Sequence, residues 1–212
     1  MNEAPDRIYG VFKGKPMSEF QDFKKMARWS RDIVITEKLD GTNAQIYIGE
    51  DGEFKTGSRT RYITPEDDNH GFAAWAYAHK DELMQLGAGR HFGEWWGQGI
   101  QRKYGMTEKR FSMFNTARWA LHGTEPKVQA TNDSRIVMAQ DVLPTCCGLV
   151  PVLYAGPNYG GVMEDVIKRL AEHGSAAVPG FMDAEGVVMF HTASNQMFKK
   201  TIKKDEAPKG KP

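Results

Sequence analysis

Two short apolar stretches bracket a polar turn early in the chain. Ile33-Val34-Ile35 runs into Thr36-Glu37-Lys38-Leu39-Asp40-Gly41-Thr42-Asn43, and the alternation Gln45-Ile46-Tyr47-Ile48 runs out of it. The pattern predicts strand, turn, strand, with Lys38 at a buried strand end and Gly41 allowing close backbone approach. Glu50-Asp51-Gly52 then predicts a hairpin onto Phe54-Lys55-Thr56, whose strand runs into Gly57-Ser58-Arg59-Thr60-Arg61. Further strands are expected around Tyr9-Gly10-Val11-Phe12, Arg90-His91-Phe92-Gly93-Glu94-Trp95-Trp96-Gly97, Phe111-Ser112-Met113-Phe114-Asn115, Ile136-Val137-Met138, residues 149–154 and residues 184–190. A last strand, 195–204, carries lysines on both faces, which is odd unless one face meets anions.

Helical spacing recurs three times. Phe20, Phe23, Met26 and Ala27 follow a capping Ser18. Thr64-Pro65-Glu66-Asp67 precedes Phe72, Trp75, Ala76, His79, Leu83 and Leu86, up to Gly87. Val162, Val166, Ile167, Leu170 and Ala171 lead to Gly174. Residues 122–133 form a polar loop, and 205–212 a tail with no packing residues. The expected organisation is one α+β domain, 1–204, with a disordered tail, 205–212.

Composition narrows the class without naming the chemistry. At 212 residues, 40% apolar and 26% charged, the chain can bury one sizeable core. Its 28 basic and 27 acidic residues nearly cancel, so contact with nucleic acid requires a local patch. Gln101-Arg102-Lys103-Tyr104 and Lys109-Arg110, cations with an aromatic between, are candidates for one. Cys146 and Cys147 are adjacent; neighbours rarely bridge, and two thiols do not make a four-ligand zinc site, so a reducing, cytoplasmic compartment is expected. No apolar run reaches membrane-spanning length.

Three features carry chemistry. A lysine held by rigid structure can act as a nucleophile once something favours its neutral form, the free pKa being about 10.4. Glu94, between Gly93 and Trp95, is a carboxylate in an aromatic setting, where burial requires a ligand hydroxyl, a metal-bound water or an arginine. Glu185 opens a buried-looking strand, and the lysine-rich strand follows.

In this order, Lys38-Leu39-Asp40-Gly41-Thr42-Asn43, Arg59, Phe92-Gly93-Glu94, Phe111-Ser112-Met113-Phe114, Glu185-Gly186-Val187-Val188-Met189 and the lysine strand resemble the covalent nucleotidyltransferase superfamily. The likeness covers residues 33–204 and is greatest to phage-type ATP-dependent RNA ligases, since Asn43 stands where DNA ligases and capping enzymes usually place arginine. It implies an ATP-grasp-like α+β adenylyltransferase domain of antiparallel sheets flanked by helices; as a departure from the family, the lysine strand lies so near the last residue given that no C-terminal OB domain is expected. It also implies these roles. Lys38 attacks ATP and holds AMP as a phosphoramidate; Glu94 holds the ribose; Phe114 stacks on adenine; Arg59 contacts phosphate and sugar. Asn43 lies near the scissile phosphate, Glu37 lines the nucleotide pocket, and Glu185 binds Mg²⁺ or Mn²⁺ through water. Lys199 is the phosphate contact of the last motif, where Thr201 stands at the usual second-lysine position and Lys200 and Lys203 are rivals for that charge. The implied partner is RNA with 5′-phosphate and 3′-hydroxyl ends, a nicked duplex being one form, and the implied protein is a monomeric RNA-repair enzyme. A DNA ligase and a nucleotide- or RNA-binding module without turnover are the alternatives.

Overall fold

The computed structural model describes residues 20, 22–23, 25–119, 143–203 and 205. The strands expected at 9–12 and 136–138, the loop at 122–133 and the tail beyond Asp205 lie outside them. In chain order the elements are β1 (Asp32–Lys38), β2 (Thr42–Ile48), β3 (Phe54–Gly57), β4 (Tyr62–Ile63), α1 (Phe72–Ala78) and α2 (Lys80–Leu83). After a 3-10 turn, Met84–Leu86, come β5 (Gly89–Gly97), β6 (Lys109–Met113), α3 (Thr116–Trp119), β7 (Gly148–Leu149), β8 (Val152–Pro157), α4 (Val162–His173), β9 (Gly186–His191) and β10 (Gln196–Thr201).

The strands make two sheets, ordered β10-β9-β1-β8 and β4-β3-β2-β5-β6-β7, antiparallel throughout except for β6 with β7. The fold is therefore α+β with antiparallel sheets, as expected. The chain leaves one sheet at Lys38 and enters the other at Thr42, so the turn 39–41 is the seam between them. Gly41 is required there: a Cβ would lie 2.3 Å from the carbonyl oxygen of Trp95 and 2.7 Å from Cβ of Trp96.

Each sheet has its own core. Ile33, Ile35, Val187 and Met189 pack against Val162, Val166 and Leu170 of α4, each such side chain contributing roughly 1.5–3 kcal/mol when fully buried. Ala44, Ile46, Trp95, Phe111 and Met113 pack against Phe72, Ala73 and Ala76 of α1. A third cluster, Leu39, Trp96, Tyr104 and Val150, joins the sheets at the seam.

Three expected elements differ. No helix forms after Ser18 among the described residues; Phe20, Phe23 and Met26 are 89, 89 and 85% exposed, with no sheet to cover. The helix expected from Thr64 starts only at Phe72. Thr64 instead pairs with Asp67, and the carboxylate of Asp68 takes the open N–H groups of Ala73 and Ala74. It then breaks at His79, whose backbone leaves the helical region. The single strand expected over 149–154 is two, because Val150-Pro151 carries the chain from one sheet to the other. No helix among the described residues is long and apolar enough to cross a membrane.

Candidate nucleotide site at the sheet seam

Alternation decides which way β1 points its side chains. Ile33, Ile35 and Glu37 face the α4 core, and Val34, Thr36 and Lys38 the other side. Lys38 thus emerges at the seam, where its Nζ lies 2.6 Å from Oε2 of Glu185, a carboxylate only 2% exposed. β9 begins opposite it, Lys38 registering with Gly186. A lysine and a buried acid 147 residues apart in sequence are brought together by one strand pairing.

Glu94 comes from the other sheet, directly across from Asn43. Its Oε1 accepts the N–H of Gly41 at 3.0 Å and its Oε2 the Nδ2–H of Asn43 at 3.3 Å. The carboxylate therefore reads the turn that follows Lys38. Burial pushes the Glu94 carboxyl up to about 7; Glu185 and Asp40 add to the rise, while Lys38 and the Gly41 N–H oppose it.

This has a measurable consequence. Between the ordinary carboxyl value, 4.5, and about 7 the folded protein holds a proton at Glu94 that the unfolded chain has lost. The Glu94 contribution to stability therefore falls as pH rises through that window, by at most about 3 kcal/mol. Glu94→Gln, neutral at every pH, removes the dependence. Its melting temperature should match the parent near pH 4.5 and exceed it above pH 7, and parallel pH profiles would contradict the assignment.

A third element closes the site. Residues 98–106 place Gln101, Lys103 and Tyr104 at positive φ (44, 60 and 51°), a conformation that costs energy in non-glycine residues and must be held by its surroundings. Tyr104, 1% exposed, packs edge-on against Trp96 and accepts the Asp40 N–H at 2.8 Å. Arg102 joins Asp40 (Nε to Oδ2, 3.0 Å) to Asp183 (Nη1 to Oδ2, 2.5 Å). Those acids stand two residues after Lys38 and two before Glu185, so one guanidinium ties together the segments that carry the pair. The charge of Asp40 is met by Arg102. Sequence reasoning missed this clamp; the only local sign was an acid two residues from each partner.

The remaining candidates divide by face. Lys199 registers with Val188, and Val188 with Thr36, so it shares the face of Lys38, two strand spacings across and two residues along, roughly 12 Å away. Phe114 follows β6, donates its N–H to the Phe92 carbonyl at 2.9 Å and leaves its ring 41% exposed. Arg59 lies exposed in the turn 58–61; Gly57 faces Gln45, so the chain here runs back toward Asn43 and the seam.

Two expected pocket residues point elsewhere. Glu37 is 1% exposed on the α4 face, where Oε2 accepts the N–H groups of Ala176 and Ala177 at 2.8 and 3.0 Å. Burial raises its carboxyl and these bonds oppose the rise. Lys200, one residue on from Lys199, falls on the α4 face and pairs with Glu164 at 2.8 Å. Lys203 pairs with Asp183 at 2.7 Å. The period-2 alternation of a strand is the reason in both strands: one step along β1 or β10 reverses the face.

The candidate basic patch is reduced, although Lys103, Lys109 and Arg110 stay exposed. Arg102 and Tyr104 are turned inward, Lys109 donates to the His70 carbonyl, and Arg110 pairs with Glu108. Burial pushes the Cys146 thiol up to about 11 and raises Cys147 further, so neither is a ready nucleophile.

Among the described residues no cluster of three or more His, Cys, Asp or Glu forms a metal cage. The seam does supply one buried carboxylate on the Lys38 side, Glu185. A single hard oxygen donor, too little to strip a cation of its water, fits hydrated Mg²⁺ or Mn²⁺.

Comparison with known proteins gives a consistent picture. The sequence model described as RNA ligase matches residues 31–204. Among curated proteins none matches the sequence. The fold is similar to that of Naegleria gruberi RNA ligase. An arginine-to-alanine variant with ATP and Mn gives a TM-score of 0.56 at 19% identity, over 82% of this chain and 50% of that one. An apo lysine-to-alanine variant gives 0.55 at 19%, over 81% and 50%, and a lysine-to-methionine variant with AMP and Mn 0.53 at 18%, over 82% and 50%. At this identity the likeness is one of fold, and the chain spans about half the length of those ligases.

Proposed function

The chain belongs to the RNA ligase family, and from that premise we propose that it is an ATP-dependent RNA ligase working through a lysyl-AMP intermediate. The observation that carries the reading is the seam itself: the Lys38 amine 2.6 Å from buried Glu185, beside a second buried carboxylate, Glu94, bonded to the Lys38 turn. The ATP and Mn of the Naegleria structures support the choice of nucleotide and of a divalent cation.

In the proposed reaction Lys38 Nζ, having given up a proton, attacks the α-phosphorus of ATP in line with the departing pyrophosphate. An N–P bond forms, the P–O bond to pyrophosphate breaks, and AMP stays on the lysine. Such displacements depend on positioning and charge neutralisation more than on covalent help from the protein. Glu185 is the nearest acceptor for the amine proton; Lys199 and Arg59 meet phosphate charge; Asn43 lies beside the reacting phosphate; Glu94 takes the ribose hydroxyls, and Phe114 stacks on adenine. Hydrated Mg²⁺ or Mn²⁺ held through Glu185 would screen the triphosphate and compete with the Lys38 ammonium for the carboxylate. AMP then passes to an RNA 5′-phosphate, and a 3′-hydroxyl displaces it to give the phosphodiester. The substrate is RNA carrying these two ends, in a nick or an open strand, and the proposed setting is a cytoplasmic monomer.

Incubation with α-labelled ATP and Mg²⁺ or Mn²⁺ should leave acid-labile label on the protein and raise its intact mass by one AMP. Nicked duplexes with RNA or DNA on the 3′-hydroxyl side would then identify the sealing substrate. ATP binding without covalent label would instead identify a binding module.

A further inference from the structure

The cleft face of the six-stranded sheet continues well past Glu94. On β2 it presents Asn43, Gln45 and Tyr47, and across from them on β5 Glu94, Phe92 and Arg90. Successive rungs on one face are two residues, about 6.6 Å, apart. The first rung holds Glu94, the second Phe92, the third Arg90 above Tyr47.

Arg90 is built into this surface. Its Nη1 donates to the hydroxyl of Tyr62 at 3.1 Å and to Oε1 of Gln45 at 3.3 Å, and its guanidinium lies 5.0 Å from the Tyr47 ring centroid. Among the described residues these partners are neutral, so they hold the guanidinium without cancelling its charge; both bonds use Nη1, and the residue is exposed. Lys55, paired with Glu53, lies 5.9 and 5.5 Å from the Tyr47 and Tyr62 ring centroids. Phe92 is 50% and Tyr62 46% exposed. Exposed rings beside an arginine held by neutral groups have the chemistry of a single-stranded nucleic-acid surface: flat faces for bases and a bidentate donor for phosphate.

We propose that this strip, Phe92, Tyr62, Tyr47 and Arg90, is the docking surface for the single-stranded segment of RNA next to the end being joined. The choice of RNA rests on the ligase reading above. Spacing favours a single strand: rungs about 6.6 Å apart are nearly twice the 3.4 Å rise of stacked bases, so bases reach the rings only when unstacked. Arg90 stands four residues from Glu94 along β5, about 13 Å, clear of the groups that carry out nucleotidyl transfer, while Phe92, two residues from Glu94, is the end of the strip nearest them.

The test is fluorescence anisotropy of the full chain with an unstructured 5′-phosphorylated oligoribonucleotide, at several salt concentrations, alongside ATP labelling of the same preparations. Arg90→Ala should weaken RNA binding about 10-fold and flatten the log–log salt dependence by about 0.7, the value of one single-strand phosphate contact. Its lysyl-AMP formation should stay at the parental level. Phe92→Ala should weaken binding roughly 5- to 100-fold with the salt slope unchanged, a split that general unfolding does not produce. Arg90→Lys, which keeps the charge and loses the fork, should keep the slope and recover part of the affinity. The inference is overturned if Arg90→Ala and Phe92→Ala bind RNA like a parent that labels normally. It is also overturned if duplex RNA binds as well as single strands with Phe92→Ala weakening neither, or if sedimentation shows a dimer that Arg90→Ala dissolves, which assigns the face to a second copy. A parent that binds RNA through these residues yet takes no AMP would refute the ligase reading and leave the surface standing.

Discussion

Lys38→Ala is expected to reduce covalent retention of AMP to background, with no label from α-labelled ATP and no AMP-sized mass increase. The effect should be complete, because an N–P bond to the protein needs this amine and no backbone group replaces it. The same change removes the cation paired at 2.6 Å with a carboxylate that is only 2% exposed. Stranding a buried acid destabilises, but the lysine end is 19% exposed and partly hydrated, so the cost should be about 2 kcal/mol, seen as a lower melting temperature. Lys38→Arg separates the two consequences. A guanidinium keeps a cation beside Glu185 yet does not lose its proton in proteins, so this variant should melt like the parent and still take no label. Label retained by either variant would place the covalent bond elsewhere.

Glu185→Gln should slow single-turnover adenylylation at least 100-fold while leaving the melting temperature close to parental. Glutamine preserves the shape and can still accept a hydrogen bond from Lys38 Nζ. It removes the charge that orients the amine, can take its proton and attracts a divalent cation. Losses of 10²–10³ are usual when one preorganised electrostatic partner of a reacting group is deleted. The Mg²⁺ dependence of the remaining rate should move to higher concentration. A variant within about threefold of the parent would make the Lys38–Glu185 pair a structural ion pair only.

The two changes differ because the site has two parts. Lys38 stands on the strand that leads into the sheet seam and Glu185 on the segment leading into its neighbour; Arg102, reaching Asp40 and Asp183, holds those segments in fixed relation. The loop bearing Arg102 keeps three non-glycine residues at positive φ. Its hydrogen bond from Asp40 to Tyr104 and the packing of that ring on Trp96 hold it there.

Much of this was legible in the residues. Alternation identified β2 and β6, aromatic and apolar runs identified β5 and β9, and Gly174 ended α4 as expected. The segments bearing Lys38, Glu94 and Glu185 could be singled out because each sets a charge against apolar or glycine neighbours. The faces that Glu37 and Lys200 take were not legible, since sequence proximity to Lys38 and Lys199 says nothing about direction until strand parity is fixed. Gln101-Arg102-Lys103-Tyr104, a candidate basic patch, proved half inward for a related reason: the charge of Arg102 is matched by acids distant in sequence, while Lys103 stays exposed.

The sequence by itself determined most of the local elements, the turn at Gly41 and the kinds of side chain available for chemistry. These follow from short-range rules of periodicity, hairpin chemistry and capping, in which all the interacting residues lie within a few positions. Tertiary structure alone decided that Glu185 meets Lys38, that Glu94 braces Gly41 and Asn43, that Arg102 spans Asp40 and Asp183, and that Arg90 is fixed by Tyr62 and Gln45. Each of those contacts depends on which strands pair and in what register, and register is set by the burial of whole sheet faces, a property no local window of the chain contains.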